Sequence, residues 1–279
     1  MDAFLIILTG SLVAVSCALL GSFLILRKMA MVGDAISHSV LPGIVIAYFI
    51  VENAESIWML VGAGLLGILT TFLIEFFHQK GRLQTDASIG VTFTWLFALG
   101  VILVTYYAGN SHIDQDCILH GEIAYVPIDM IYSASGDPIA PKAIIVLSIV
   151  LLIILTFISL FYKELFLTTF DPSFANAIGV SSSKWHYLIM GLVSLTTVAS
   201  FESVGAILVV ALLITPAAAA YLITRELKLM LILSAFFGVI SSFLGYWLSF
   251  YIDGSIAGAM VTVSGVIFAV CYVTSLRKK

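Results

Sequence analysis

The stretch that decides the fold is Ala143-Ile-Ile-Val-Leu-Ser-Ile-Val-Leu-Leu-Ile-Ile-Leu-Thr-Phe-Ile-Ser-Leu-Phe161, which contains no charged residue. A helix needs about 20 mostly apolar residues to cross the hydrocarbon core of a membrane. The run therefore predicts a transmembrane helix within residues 142–162. Further runs of the same character predict spans over residues 3–26, 31–51, 57–77, 87–107, 185–201, 203–223, 228–251 and 256–276.

The composition of the whole chain agrees with this interpretation. Apolar residues make up 61% of the chain and charged residues only 10%, whereas a soluble domain carries about 25% charged residues. Because so few charges cannot cover a globule in water, most of the exterior must face lipid. We expect an all-α, polytopic integral membrane protein, with residues 1–279 forming one transmembrane domain of about nine helices. Spans 185–201 and 203–223 run together through Glu202, so a count of eight helices is the alternative.

The basic residues predict the orientation, since Lys and Arg stay on the cytoplasmic side of a membrane. With the N-terminus outside and the C-terminus in the cytoplasm, every Lys and Arg except Lys142 falls inside. Residues 108–141 then form an extracytoplasmic loop with short helices, and residues 168–184 lie in the cytoplasm. The outer segments are acidic, which attracts cations, although the exclusion of Lys and Arg alone produces the same imbalance.

Several motifs are absent from the sequence, and their absence excludes classes of function. The dipeptide Gly-Lys does not occur, so the chain carries no P-loop for ATP. There is no HExxH motif, and Cys17, Cys117 and Cys271 form no CxxC pair. The cysteine spacing argues against a disulfide framework or a thiolate zinc site. We therefore expect a protein that is not an enzyme and holds no permanently bound cofactor.

The stretch with the clearest chemistry is Met31-Val-Gly-Asp-Ala-Ile-Ser-His-Ser-Val-Leu-Pro-Gly43. Asp34 and His38 are four residues apart, which places them on one face of a helix. Ionisable residues at membrane depth usually line a pathway or pair with a partner. A carboxylate and an imidazole suit borderline cations such as Mn²⁺, Fe²⁺ or Zn²⁺. Pro42 lacks an N–H group, so it leaves the carbonyl of His38 free.

Other interpretations of this pair remain open. Asp34 lies six residues after Lys28, where it is placed to cap a helix at the cytoplasmic interface. His38 is placed to hydrogen-bond a neighbouring helix instead of a metal. Two ligands do not close a metal site, so other helices or a partner chain must supply the rest. A homodimer doubles the pair around a two-fold axis.

A second tier of candidate metal ligands lies elsewhere in the chain. Glu202 stands between two apolar runs, where it is either a ligand or an ordinary loop carboxylate. Asp116, Cys117 and Glu122 lie in the predicted outer loop, in a cluster that a solvated loop explains almost as well. The same cluster also contains His112, Asp114 and His120.

The sequence resembles the permease subunits of the bacterial ABC importers for zinc, manganese and iron, and it looks most like the manganese permeases. The motifs that carry the resemblance run in family order over nearly the whole chain. They are Arg27–Gly43, Thr85-Asp-Ala-Ser-Ile-Gly90, Asp116-Cys-Ile-Leu-His-Gly-Glu122, Phe170-Asp-Pro-Ser-Phe-Ala-Asn-Ala-Ile-Gly179 and Glu202–Tyr221. His120 departs from the pattern, in which an aromatic residue precedes Gly121.

The resemblance implies that Asp34 and His38 bind the metal in transit. It also implies cytoplasmic ATP-binding subunits, an extracytoplasmic metal-binding lipoprotein, and a dimer with a second copy or a related permease. Segment 170–182 resembles the short helix that couples such permeases to their ATPases. Within it, the residues expected to carry the coupling are Asp171, Pro172, Ala175 and Gly179.

The sequence thus predicts a multi-pass permease subunit in the inner membrane of a bacterium, surrounded by lipid and without a nucleic-acid partner. Its substrate is a divalent transition metal, with manganese favoured and zinc or iron as alternatives. ATP hydrolysis belongs to a separate chain. The main rival is a proton-coupled secondary metal carrier, in which Asp34, His38 and Glu202 relay protons. An intramembrane enzyme is disfavoured, because no third intramembrane ligand or activated nucleophile accompanies Asp34 and His38.

Overall fold

A computed structural model describes residues 2–51, 56–107, 123–132 and 138–276. This part of the chain is almost entirely helical, with one short 3₁₀ turn at Ile123–Tyr125 and two short strands, β1 (Met130–Tyr132) and β2 (Pro138–Pro141). The helices are α1 (Asp2–Leu26), α2 (Val32–Ser39), α3 (Leu41–Val51), α4 (Ser56–Gln79), α5 (Thr85–Tyr107), α6 (Lys142–Leu160), α7 (Tyr162–Phe170), α8 (Pro172–Ala177), α9 (Ser182–Val204), α10 (Ala206–Ile223), α11 (Leu227–Ile252) and α12 (Ile256–Leu276).

The all-α, polytopic prediction is confirmed. Within the described part of the chain, 8 segments are long and apolar enough to cross a membrane, counting α2 and α3 as one. The helix α9 is not among these, although it has 23 residues and matches the predicted span 185–201. It is separate from α10, because the backbone leaves the helical region at Gly205, where φ is 77°. A count of nine spans therefore stays a prediction, as does the orientation.

The predicted span 31–51 consists of two helices, and proline chemistry explains the break. Pro42 has no N–H to donate to the carbonyl of His38, so the hydrogen-bond ladder is interrupted at this point. The backbone forms a tighter turn at this point. The N–H groups of Gly43 and Ile44 both donate to the carbonyl of Val40, at N···O distances of 2.9 and 3.2 Å. The two-turn helix α2 is thereby set apart from α3.

The centre of the bundle is formed by α1 and α10, which pack against each other and against α11. Helices in lipid associate through close packing, and small residues at the contact allow the backbones to approach. Gly21 of α1 lies against Leu213 of α10 so closely that a Cβ atom at this position would fall on the Leu213 carbonyl oxygen. Both Val13 and Phe23 of α1 are completely buried. The first helix is therefore a core element of the bundle.

Replacing Gly21 with alanine should destabilise the protein, because the helices must separate to admit one methyl group. Overpacking of this kind costs about 1–3 kcal/mol, which we expect to appear as a drop of several degrees in the melting temperature in detergent. Gly191→Ala is the matched control, since a Cβ there meets no atom within 4 Å and alanine has the higher helix propensity. Equal melting temperatures for the two variants would contradict the packing described for α1.

The predicted outer loop contains a small sheet that the sequence analysis did not predict. Strands β1 and β2 pair antiparallel, with Met130 opposite Pro141 and Ile131 opposite Ala140. The 3₁₀ turn before them buries Ile123 completely against the main core and contacts α1, α9 and α12. This end of the loop is therefore part of the folded bundle.

Candidate metal site and coupling segment

The two-turn helix α2 lies inside the bundle, in contact with α4, α5, α9 and α10. Six of its 8 residues are buried. The exceptions are Asp34 and His38, whose side chains are 35% and 39% exposed. The helix thus has one partly exposed polar face, while apolar and small side chains are buried on its other sides. The sequence prediction that these two residues share a helix face is confirmed.

The two side chains contact each other directly. Nε2 of His38 lies 3.5 Å from Oδ1 of Asp34, across one turn of the helix. The interpretation of Asp34 as a helix cap is wrong, because the N-cap position of α2 is Met31 and no side chain caps the helix. Asp34 instead sits in the first turn, where the helix dipole favours a negative charge. Its carboxylate is therefore available to a cation beside His38.

Two aromatic rings on α5 flank the imidazole. The ring centroids of Phe93 and Phe97 lie 6.0 and 6.1 Å from that of His38, the second in an edge-to-face arrangement. These contacts restrict the rotation of the imidazole and keep it facing Asp34. The sequence analysis did not identify either phenylalanine. Their spacing of four residues, which places both on one face of α5, was the available signal.

The C-terminal end of α2 is fixed to α4. The hydroxyl groups of Ser39 and Thr70 are hydrogen-bonded at 2.7 Å, and both side chains are buried. Beyond the break, Gly43 of α3 and Gly62 of α4 meet backbone to backbone, so that a Cβ on either would strike the other's carbonyl oxygen. Both α2 and α3 therefore pack against α4.

The donor set determines what this site can hold. One carboxylate oxygen and one imidazole nitrogen suit Mn²⁺, Fe²⁺ and Zn²⁺ alike. No group of three or more His, Cys, Asp or Glu residues comes together anywhere in the part of the chain that the structure describes. A cation held by this pair would take the rest of its ligands from water or from groups of another chain.

The structure describes little of the second tier of candidate ligands. Glu202 lies in the last turn of α9, and the structure describes its helix but not its side chain. Asp116, Cys117 and Glu122 lie outside the described residues, together with His112, Asp114 and His120. Their roles as ligands stay predictions.

The segment predicted to couple to an ATPase contains the short helix α8. Asp171 caps it, with Oδ1 accepting the Phe174 N–H at 2.9 Å, and Pro172 occupies the first turn, where its missing N–H loses no helical bond. Ala175 is completely buried. Gly179 has a φ of 89°, a value that ends the helix and that side chains other than glycine adopt only with strain.

Two large apolar side chains are exposed at α8. Phe174 of the helix and Ile178, the residue directly after it, are 53% and 55% exposed and lie four residues apart. The four residues predicted to carry coupling are therefore those that build and seat the helix. The large apolar side chains exposed in this segment are those of Phe174 and Ile178, which the sequence analysis did not single out.

Comparisons with known proteins agree with the resemblance found in the sequence. The manganese transport system membrane protein MntD of Bacillus subtilis is 50% identical over 97% of this chain and 91% of its own length. The zinc transport system membrane protein TroD of Treponema pallidum is 44% identical over 97% of this chain and 73% of its own. The solved structure of PsaBC from Streptococcus pneumoniae in complex with Fab superposes with a TM-score of 0.77, at 33% identity, over 96% of this chain and 90% of that one. The profile of the ABC 3 transport family matches residues 3–275, and the chain belongs to that family.

Proposed function

We propose that this chain is the membrane-spanning permease subunit of an ATP-driven ABC importer in the bacterial inner membrane. Its substrate is a divalent transition-metal cation, with manganese favoured and zinc or iron as alternatives. The observation that carries the proposal is the contact of Asp34 with His38 at 3.5 Å on the enclosed helix α2. In a chain of this family, such a pair is the natural resting point for a cation in transit.

The preference for manganese rests on the names of relatives. MntD and several further relatives of this chain are described as manganese transport proteins, whereas TroD is described as a zinc transport protein. The two ligands themselves do not favour manganese, because affinity for such a site rises from Mn²⁺ through Fe²⁺ toward the later metals. Selection in favour of manganese must therefore come from the donor protein or from the ligands that complete the coordination sphere.

The proposed transport cycle assigns one role to α2 and another to α8. A metal-binding lipoprotein docks on the outer face and releases the cation toward Asp34 and His38. ATP binding and hydrolysis on cytoplasmic partner subunits move α8, and the movement opens the ion path to the outside and to the cytoplasm in turn. A second copy or a related permease completes the dimer. The chain makes and breaks no covalent bond itself.

Reconstitution in liposomes tests the proposal. We would purify the chain with its ATP-binding subunits, add the metal-loaded donor protein outside and ATP inside, and follow radiolabelled manganese entering the vesicles. The expected result is uptake that requires ATP hydrolysis and is unaffected by collapse of the proton gradient. Uptake driven by a proton gradient without ATP would overturn the proposal in favour of a secondary carrier, and competition by zinc and iron would rank the substrates.

A further inference from the structure

A partly buried polar cluster lies at the end of the bundle where α1 and α4 finish and α9 begins. At its centre is Arg27, which directly follows α1. Its Nη2 donates to the hydroxyl oxygens of Thr168 and Thr169, both at 3.2 Å, and its Nε also donates to Thr169, at 3.3 Å. One guanidinium thus holds two consecutive residues of α7, as its forked geometry allows.

The other side of the guanidinium faces α9 and α4. Nη1 of Arg27 lies 3.5 Å from Nδ1 of His186, and Nε2 of the same imidazole lies 3.2 Å from Oε2 of Glu75. Because a guanidinium only donates, Nδ1 is the acceptor in the contact with Arg27, while Nε2 faces the Glu75 carboxylate without a hydrogen bond. The His186 and Glu75 side chains are 14% and 13% exposed. Arg27 is therefore connected to three helices at once.

These contacts resist separation for a physical reason. A buried charge is tolerated only while it is paired and hydrogen-bonded, and hydrogen bonds to a charged donor are about twice as strong as neutral ones. Burial lowers the pKa of Arg27 to about 10, so the group stays charged at neutral pH. Moving α7 away from Arg27 would deprive that charge of both threonine acceptors, and the segments should therefore move together.

In the sequence, the residues of the cluster lie close to both the predicted coupling helix and the predicted metal ligands. Thr169 lies two residues before Asp171, the cap of the predicted coupling helix, and the Asp171 N–H donates to the carbonyl of Leu167 at 2.9 Å, which keeps α7 and α8 in one piece. Arg27 lies seven residues before Asp34 in the sequence. The guanidinium thus joins the coupling segment to the chain that leads directly into α2.

We propose that Arg27 is a positioning residue that transmits the movement of α8 to the helix that carries Asp34 and His38. The inference rests on the proposed function, since it presupposes an ATPase that moves α8. Through Glu75 and His186, the helices α4 and α9 are expected to move together with α7. Loss of the link should leave metal binding and ATPase docking in place and separate ATP hydrolysis from transport.

The experiment measures the metal transported per ATP hydrolysed, in liposomes that contain the complete importer. Arg27→Lys keeps the charge and removes the fork, and the pair Thr168→Val, Thr169→Val keeps the side-chain shape and removes the acceptors. We expect this ratio to fall about tenfold or more in both, within the range of typical coupling between sites. The pair Thr168→Ser, Thr169→Ser retains the hydroxyl groups and should restore the ratio of the unmodified importer.

The melting temperature and the amount of bound ATPase are measured for every variant, because a purely structural role would change these first. An unchanged ratio in Arg27→Lys and in the valine pair would overturn the inference while leaving the proposed function intact. A serine pair as poorly coupled as the valine pair would also overturn it, since the hydroxyl groups would then not matter. Absence of ATP-driven uptake by the unmodified importer would overturn the proposed function and this inference with it.

Discussion

Replacing Asp34 and His38 together with alanine should abolish metal uptake while the protein still reaches the membrane. In the proposed mechanism this pair supplies the carboxylate and the imidazole that bind the cation, and the two side chains are 35% and 39% exposed. Truncating partly exposed side chains leaves little cavity, so the fold should survive. Loss of a partner that only orients a metal ligand already reduces affinity or activity by about 10–100-fold, so removing both ligands should reduce uptake by at least about a hundredfold.

The measurement is manganese accumulation in cells that lack their own importer and express this chain with its ATPase and donor protein. A matched control is the pair Glu226→Ala, His78→Ala, which removes one carboxylate and one imidazole from exposed positions outside α2. Normal uptake by the control with none by the Asp34, His38 variant would assign the ion path to α2. If uptake persisted without Asp34 and His38, the path would have to run past Glu202 and the outer-loop cluster instead.

Replacing Phe174 and Ile178 together with alanine should release the ATP-binding subunits. These side chains are 53% and 55% exposed at α8, and exposed apolar groups of this kind mark contact surfaces. Large aromatic anchors at interfaces contribute about 2 kcal/mol or more, so the affinity for the ATPase should fall by about thirtyfold or more. Asp171 still caps the helix in this variant, which separates loss of contact from loss of structure.

Co-purification of the ATPase with the tagged permease measures this effect, together with metal-stimulated ATP hydrolysis. The control is Phe250→Ala, Ile252→Ala, an equivalent pair of exposed apolar residues at the other end of the bundle, 71% and 67% exposed. We expect it to retain the ATPase in full. Undiminished association after the change in α8 would show that the ATPase docks elsewhere, and would remove segment 170–182 from the proposed mechanism.

Most of the helical architecture could be predicted because the solvent of a membrane protein imposes a simple length rule. The apolar runs end within a few residues of the helices that form, as with the span 256–276 and the helix α12. The break before α3 could be predicted only in part. Pro42 indicated that the carbonyl of His38 is free, but it did not indicate that the helix ends at Ser39. Strands β1 and β2 were missed, since their short segments carry two prolines and no alternating pattern.

The candidate site could be predicted where its residues are neighbours in sequence. Asp34 and His38 were found because one helical turn brings them together, a relation that spacing alone encodes. The contacts of His38 with Phe93, and of Arg27 with Thr169 and His186, join residues far apart in the chain. Which face of one helix meets which face of another depends on packing across the whole bundle, so local patterns did not reveal them.

The open, two-ligand character of α2 has a consequence for the speed of transport. Where water completes the coordination of a cation beside this carboxylate and imidazole, few bonds to the protein must break before the cation leaves, and its residence time is short. Permeation requires binding that is favourable enough for entry and weak enough for release. We therefore expect turnover of the importer to be limited by the rocking of its helices and not by departure of the ion.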